Sequence, residues 1–187
     1  MTSIPDFVAI DFETANTQRS SPIQVGVVRV VNGVPRKPQV TAIMPPLGRR
    51  EFDPNIQRVH GLTPQDIHGA PEWPEIHERI ARYVGDLPLV AHNAAFERSV
   101  ITQTSETHGF YANSFDYRCT LAMARRLIPK ASGAVENHKL DTMAAHFGIV
   151  QLAHHDAGDD ALVGANLALA LLRMPGGVEA FEKGKLR

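Results

Sequence analysis

The segment 7–10 is an uninterrupted apolar run that leads directly into two acidic residues, Asp11 and Glu13. A short apolar run predicts a buried strand, and side chains two positions apart on a strand project to the same side. Two unpaired carboxylates on one side of a buried strand repel each other, and a divalent cation would relieve that repulsion. Because a solvated acidic pair at a strand end is the alternative, the interpretation depends on partners elsewhere in the chain.

Two more β-rich segments are predicted after this first strand. Residues 23–31 are rich in β-branched side chains and end at Asn32-Gly33, a hairpin signal, so residues 40–43 are predicted to pair back. Repeated Pro and Gly between residues 45 and 74 predict mostly loop, with a short helix beginning near Thr63.

The rest of the chain alternates between helix and strand patterns. Apolar residues at helical spacing predict helices at 76–84, 96–101, 120–127, 138–147 and 159–172, with a short strand at 87–91. This order favours an α/β fold with a central mixed five-stranded sheet flanked by helices, and it places Asp11 and Glu13 on a central strand. No repeat or linker is visible, so we expect a single domain over 1–187 with its core at about 7–172.

Composition is that of an ordinary globular protein, with 43% hydrophobic and 21% charged residues and a formal net charge of −1. This charge does not by itself indicate nucleic-acid binding. The single cysteine, Cys119, excludes an internal disulfide, and the first six residues lack a signal-peptide pattern, so we expect a cytoplasmic protein. The apolar segment 161–172 is much shorter than the roughly 20 residues of a membrane span, so no membrane association is expected.

A second acidic candidate, Glu97, follows the predicted strand at 87–91 and falls in the first turn of the next helix. Stabilisation of that helix terminus by its charge is a sufficient alternative explanation. Nearby His92 and Asn93 could cap the helix, and Phe96 could be an ordinary core residue.

A third candidate segment carries two histidines and two aspartates at equal spacing, so His154 could pair with Asp159 or His155 with Asp160. The helical stripe that starts at Asp160 contains only apolar or small residues, whereas the stripe from Asp159 includes a polar one. Asp160 is therefore predicted to face inward with His155 as its partner, and His154 is predicted to be structural or solvent-facing.

Taken in order, these segments resemble the DEDDh 3′-5′ exonucleases, a family that includes the proofreading epsilon subunit of the bacterial replicative polymerase. The resemblance covers about 7–172 and rests on four motifs, namely Asp11-x-Glu13, His92-Asn93-Ala94-x-Phe96-Glu97, His155-x-Ala157-x-x-Asp160-Ala161 and His60-Gly61-Leu62-Thr63. It implies a ribonuclease H-like fold and hydrolysis of phosphodiester bonds at the 3′ end of single-stranded DNA or RNA, with release of nucleoside 5′-monophosphates. A polymerase or repair partner is compatible with the family and is not specified by the sequence.

The resemblance also implies roles for individual residues. Asp11, Glu13, Glu97 and Asp160 would bind two divalent cations, and an all-oxygen carboxylate set suits Mg²⁺ or Mn²⁺. His155 would act as general base.

Five further residues would hold the substrate. They are Thr14, His60 and Leu62 around the terminal nucleotide, and Asn93 and Phe96 as further members of the pocket.

Glu97 departs from the family pattern, which has Asp at this position. The extra methylene moves the carboxylate by roughly 1.5 Å, the length of a single bond. The residue could still reach a metal, or the chain could be a degenerate relative that binds nucleic-acid ends or a partner without efficient cleavage. A phosphoesterase that acts on small nucleotides is a third possibility.

A basic group flanks one loop and could contact substrate phosphates or simply be a solvated helix end; its members are Arg125, Arg126, Lys130, His138 and Lys139.

Overall fold

A mixed sheet forms the centre of the fold in the computed structural model, which describes residues 4–153 and 155–186. The strands are β1 (Phe7–Thr14), β2 (Pro22–Val31), β3 (Val34–Pro35), β4 (Gln39–Ala42), β5 (Leu89–Ala91) and β6 (Tyr117–Cys119). Their order is β3-β2-β1-β5-β6, with β4 also paired to β2. The β1–β2 pair is antiparallel, whereas β1–β5 and β5–β6 are parallel.

Strands β3 and β4 pair with successive stretches of β2 and together form one interrupted edge of the sheet. The predicted five-stranded mixed sheet with β1 at its centre is therefore confirmed. The strand at the other edge of the sheet, β6, had no position assigned from the sequence.

Within the described ranges, seven α-helices cover the sheet. They are α1 (Pro54–His60), α2 (Trp73–Val84), α3 (Ala95–Thr107), α4 (Thr120–Leu127), α5 (Leu140–His146), α6 (Ala157–Arg173) and α7 (Gly177–Lys183). All five helices predicted from apolar spacing are present, with boundaries within a few residues of the prediction except at the end of α3. No helix in the described ranges has the length and apolar character needed to cross a membrane.

The prediction of a short helix beginning near Thr63 is wrong. The helix in this region is α1, which begins earlier because the Asp53 carboxylate accepts the backbone N–H of Asn55 at 2.7 Å and caps it. Thr63 instead donates its N–H and its hydroxyl to the Asp66 carboxylate, both at 2.7 Å, and so starts a turn.

Helix α7 was not predicted. It follows α6 after a turn at Gly176, whose φ of 76° belongs to the left-handed region that favours glycine. Phe181 of α7 is fully buried, and its ring lies 6.2 Å from that of Phe7. The contact attaches the end of the described chain to the start of the central strand.

The two faces of β1 are buried against different helices. Phe7 and Ala9 lie in the apolar cluster formed with α6, whereas Val8 and Ile10 lie in the cluster on the other face, which includes Trp73 of α2. Residues at odd positions of β1 therefore face α6. This parity carries Asp11 and Glu13 to the α6 side of the sheet.

Candidate active site

The end of β1 and the start of α6 approach each other closely, and a glycine makes that approach possible. Gly26 pairs with Asp11 across β1–β2. A Cβ atom at Gly26 would lie 2.0 Å from the Ala157 carbonyl oxygen, so only hydrogen fits there. The backbone at the start of α6 thus lies directly against the strand beside the acidic pair.

Two polar side chains, Gln24 and Asp156, hold the N-terminus of α6. The Gln24 side-chain oxygen accepts the Ala157 N–H at 3.0 Å, and Gln24 is itself paired with Glu13 in the sheet. The Asp156 carboxylate accepts the N–H groups of Gly158 and Asp159, both at 3.0 Å, as a helix cap. Asp160, one turn into the helix, is therefore held over the end of β1.

One carboxylate oxygen or ring nitrogen from each of Glu13, His155 and Asp160 lies within 4.8 Å of the others. This cluster is the only group of metal-ligating type that the described residues form by that distance. The structure thus brings together three of the residues predicted for the site. Asp11 lies beside the cluster, since the charges of Glu13 and Asp160 both raise its pKa.

Asp159 and Asp160 have different surroundings, as predicted. Asp160 is only 7% exposed, which confirms its inward orientation, and it accepts a hydrogen bond from the Gln151 side-chain amide. The Asp159 carboxylate instead accepts the backbone N–H groups of Leu152 and Ala153, both at 2.9 Å. The loop before α6 is therefore tied to its first turn by two adjacent aspartates.

His155 belongs to the same loop and has a φ of 64°, an uncommon conformation for a residue other than glycine. This backbone geometry, together with the anchored loop, determines where the imidazole lies relative to Glu13 and Asp160. The prediction for His154 concerns a residue outside the described ranges.

Glu97 lies in the first turn of α3 and is 2% exposed. Its Oε2 atom has no hydrogen-bond partner among the described residues. Burial raises the pKa of this carboxyl to about 8, and the Arg19 guanidinium partly opposes the shift. Arg19 lies over the Phe96 ring, 4.1 Å from its centroid. A surface charge at a helix terminus would not be buried in this way.

Asp11 and Glu13 also have raised pKa values. Burial raises the pKa of Asp11 well above its usual value, and the negative charges of Glu97, Glu13 and Asp160 add to the effect. Burial also raises the pKa of Glu13 to about 8, with further contributions from Asp160 and Asp156.

A partly buried set of mutually repelling carboxylates, one with an oxygen that has no hydrogen-bond partner among the described residues, is the donor set that a hard divalent cation prefers. The residues present therefore fit a divalent metal.

His92 is predicted as part of a motif and has a structural role in the described fold. Its Nδ1 lies 3.0 Å from the Thr120 hydroxyl and its Nε2 lies 2.9 Å from the His138 carbonyl oxygen. Neither His92 nor Asn93 caps α3, whose N-cap position is Ala94 and has no side-chain hydrogen bond. Asn93 is exposed and has a φ of 73°.

The residues predicted to hold a terminal nucleotide lie close to the acidic cluster. Thr14 is buried at the end of β1, after a register shift. His60 Nδ1 accepts the Leu62 N–H at 2.9 Å, and burial lowers the pKa of His60, to which His155 adds a small effect. Leu62 is partly buried and packs against an apolar cluster that includes Ile67.

An open cleft of about 360 Å³ leads to the carboxylates. Its walls are formed by Asp11, His92, Lys139, Leu140, Asp141, His155 and Asp160. The volume is in the range of ordinary ligand pockets.

Sequence reasoning missed several supporting residues. Asp156 follows the pattern of a helix cap and could have been identified as one. Gln24, Gly26, Gln151 and Arg19 had no local signal, because each acts on an element distant in the sequence.

Comparisons with known proteins agree with this geometry. A family model described as an exonuclease, of the RNase T type, matches residues 8–168. The PolC-type DNA polymerase III of Halalkalibacterium halodurans is 28% identical over 160 residues, which cover 83% of this chain and 10% of that protein. The chain thus spans about a tenth of the length of this relative.

Two solved structures share the fold. Exonuclease X in complex with 5′ overhanging duplex DNA matches with a TM-score of 0.74 at 24% identity, over 94% of this chain and 97% of that chain. A 3′-exonuclease described in 3′-end specific recognition of a histone mRNA stem-loop matches with a TM-score of 0.76 at 13% identity, over 92% and 84% of the two chains. The predicted ribonuclease H-like fold is confirmed.

Proposed function

Since the chain belongs to the RNase T exonuclease family, we propose that it is a metal-dependent 3′-5′ exonuclease that releases nucleoside 5′-monophosphates from single-stranded DNA or RNA. The observation that carries this proposal is the cluster of Glu13, His155 and Asp160, whose ligand atoms lie within 4.8 Å of one another beside the partly buried Asp11. A nuclease needs such a concentration of oxygen donors next to a group that can take up a proton.

Asp11, Glu13, Glu97 and Asp160 are the residues that would hold two Mg²⁺ or Mn²⁺ ions. When bound, these ions would supply positive charge to the phosphoryl oxygens and to the leaving oxygen, and would make the attacking water more acidic. The protein's own contribution is to keep the four carboxylates together in a partly buried site despite their repulsion.

His155 would act as the general base. Its imidazole would accept a proton from the attacking water as that water's oxygen forms a bond to phosphorus. The bond between phosphorus and the 3′ oxygen of the preceding nucleotide breaks, and that oxygen takes up a proton from water, so the products are a nucleoside 5′-monophosphate and a strand with a new 3′-hydroxyl.

Thr14, His60 and Leu62 would form the pocket for the terminal nucleotide. The backbone at Thr14 would contact the terminal sugar, while the buried edge of His60 and the partly buried Leu62 side chain would bound the base. Phe96, covered by Arg19, would form the outer wall.

A strand-polarity assay tests the proposal. The protein is incubated with Mn²⁺ and single strands labelled at either end. The 3′ label should appear at once as a mononucleotide, whereas the 5′ label should pass through a ladder of shortening strands. Asp11→Asn should abolish release, and the matched control Asp86→Asn, at an exposed residue away from the site, should leave it unchanged. Immediate release of the 5′ label, or turnover by Asp11→Asn equal to the parent, would refute the assignment.

Glu97 supports one competing function, in which the chain binds nucleic-acid ends without efficient cleavage. The observation behind it is that Glu97 is not part of the cluster within 4.8 Å, although its charge acts on Asp11. Binding of a labelled strand without any product, in both the parent and Glu97→Asp, would favour this function.

A further inference from the structure

A second cavity, of about 410 Å³, adjoins the cleft at the carboxylates. The two cavities share His92, Lys139 and Leu140 in their walls. Together they form a continuous groove, which we call the strand trough. It runs from Asp11 and Asp160 at one end to Arg125 at the other.

The walls of the strand trough are fixed by hydrogen bonds between segments distant in the sequence. His92 joins the end of β5 to the segment before α5 through its contact with the His138 carbonyl oxygen at 2.9 Å. The His138 ring in turn lies 2.7 Å from the Ile128 carbonyl oxygen at the end of α4. Burial lowers the pKa of His92 to about 4, so this wall residue is neutral at physiological pH. The groove is thus a built feature of the fold.

Two cations lie along the strand trough and are available to a ligand. Arg125 and Lys139 are both exposed, and neither forms a salt bridge within the described part of the chain. Asp141 also lines the groove, but its carboxylate accepts the Thr142 N–H at the start of α5. A ligand with several negative charges along its length suits this distribution.

The structure separates these two residues from Arg126 and Lys130 of the predicted basic group. Arg126 forms a salt bridge with Glu179 of α7 at 3.1 Å and lines neither cavity. Lys130 lies in a short 3-10 turn and also lines neither cavity. The sequence could not distinguish Arg125 from Arg126, because the two are neighbours on one helix.

We propose that the strand trough binds the sugar-phosphate backbone of the nucleic-acid strand whose 3′ end lies at the carboxylates, with Arg125 and Lys139 each contacting a phosphate. The proposal rests on the proposed function, since it assigns that site a polymeric, single-stranded substrate. It also favours a polymeric strand over a mononucleotide, because the groove continues from the carboxylates through a second cavity to Arg125.

Binding at increasing salt tests the proposal without relying on turnover. The probe is a labelled single strand with phosphorothioate linkages, which keep the negative charge and resist hydrolysis, in the presence of Ca²⁺. The binding constant falls as salt rises, and each phosphate contact on a single strand makes the slope of log K against log salt steeper by about 0.7. Arg125→Ala/Lys139→Ala, which removes two contacts, should therefore make the slope shallower by about 1.4. Arg126→Ala is the matched control and should keep the parent slope. Arg125→Lys/Lys139→Arg should restore it.

The outcomes separate this proposal from the proposed function. An unchanged slope in Arg125→Ala/Lys139→Ala, in a protein that cuts strands, would overturn the strand trough and leave the exonuclease assignment intact. If the parent binds strands without cutting them and Arg125→Ala/Lys139→Ala reduces the salt slope of that binding, the result would support the trough and count against hydrolysis. Equal reduction by Arg126→Ala, or tighter binding of a duplex than of a single strand, would also overturn the trough.

Discussion

The close contact between Gly26 and the start of α6 leads to a quantitative prediction for Gly26→Ala. The added Cβ would lie 2.0 Å from the Ala157 carbonyl oxygen and 2.5 Å from the Gly158 nitrogen, whereas ordinary contacts begin at 3.4 Å. These are backbone atoms, so no side-chain rotation can relieve the clash. The start of α6 and strand β2 must separate by about 1.4 Å.

This separation acts directly on the site, because Gly26 pairs with Asp11 and α6 carries Asp160. Functional constellations tolerate displacements of about 0.5 Å. We expect Gly26→Ala to lower the rate of nucleotide release by about 100-fold, as a displacement of about 1 Å can do. Overpacking should lower the free energy of unfolding by about 1–3 kcal/mol, or more because the backbone itself must move.

A second glycine provides the matched control. Gly164 lies in the same helix with no atom within 4 Å of its would-be Cβ. Gly164→Ala should therefore keep full activity and stabilise the protein by about 0.5–1 kcal/mol through helix propensity. Denaturant unfolding and mononucleotide release in Mn²⁺ would be measured for both variants. Parent-like stability and activity in Gly26→Ala would refute the claim that this contact positions the site.

Three further predictions concern the carboxylates and their supports. Glu97→Gln should weaken Mn²⁺ binding in calorimetry by at least about tenfold, and parent-like Mn²⁺ affinity would exclude Glu97 as a ligand. The same change should stabilise the metal-free protein at neutral pH, because the parent must keep a proton on the buried Glu97 carboxyl that the unfolded chain has lost. Asp159→Ala should speed amide exchange at Leu152 and Ala153 and lower kcat by about tenfold with little change in KM, and unchanged exchange would show that Asp159 does not anchor this loop. In the metal-free protein, Glu13 has a pKa of about 8 when folded and 4.5 when unfolded. Between these two values the folded state retains a proton that the unfolded state has lost, so the free energy of unfolding falls as the pH rises from 4.5 to 8. The rise in Tm on adding Mn²⁺ should therefore grow from pH 4.5 to 8, and a rise independent of pH would contradict this.

The sequence predicted those parts of the fold whose signals are local. The apolar run of β1 and the helical spacing in α2, α4 and α6 each lie within one continuous segment. The missed helix α7 has weak signals of its own and is stabilised by burial of Phe181 against the start of β1, at the far end of the chain. Such a contact leaves no pattern in the segment itself.

The same distinction holds for the site. The inward orientation of Asp160 could be predicted because a helical stripe is a local property. The contact of Gly26 with α6 could not be predicted, since a glycine in a strand is compatible with many neighbours. The backbone that it contacts, at the start of α6, is more than a hundred residues away in the sequence. The difference between Arg125 and Arg126 likewise arises from tertiary contacts, because Arg126 pairs with Glu179 whereas Arg125 lines the groove.

The raised pKa values also have a consequence for how a metal would enter the site. A shift from 4.5 to about 8 at Glu13 corresponds to at most about 5 kcal/mol in favour of the protonated form in the folded state. A domain of this kind has only about 5–15 kcal/mol of stability in total, so the fold cannot hold all of these carboxylates ionised without a compensating cation. At neutral pH the metal-free site must therefore retain protons, and metal binding must displace them. The close approach at Gly26 and the hydrogen bond from the Ala157 N–H to the Gln24 side chain hold the start of α6 against the sheet, so these carboxylates are carried on elements that are fixed relative to one another.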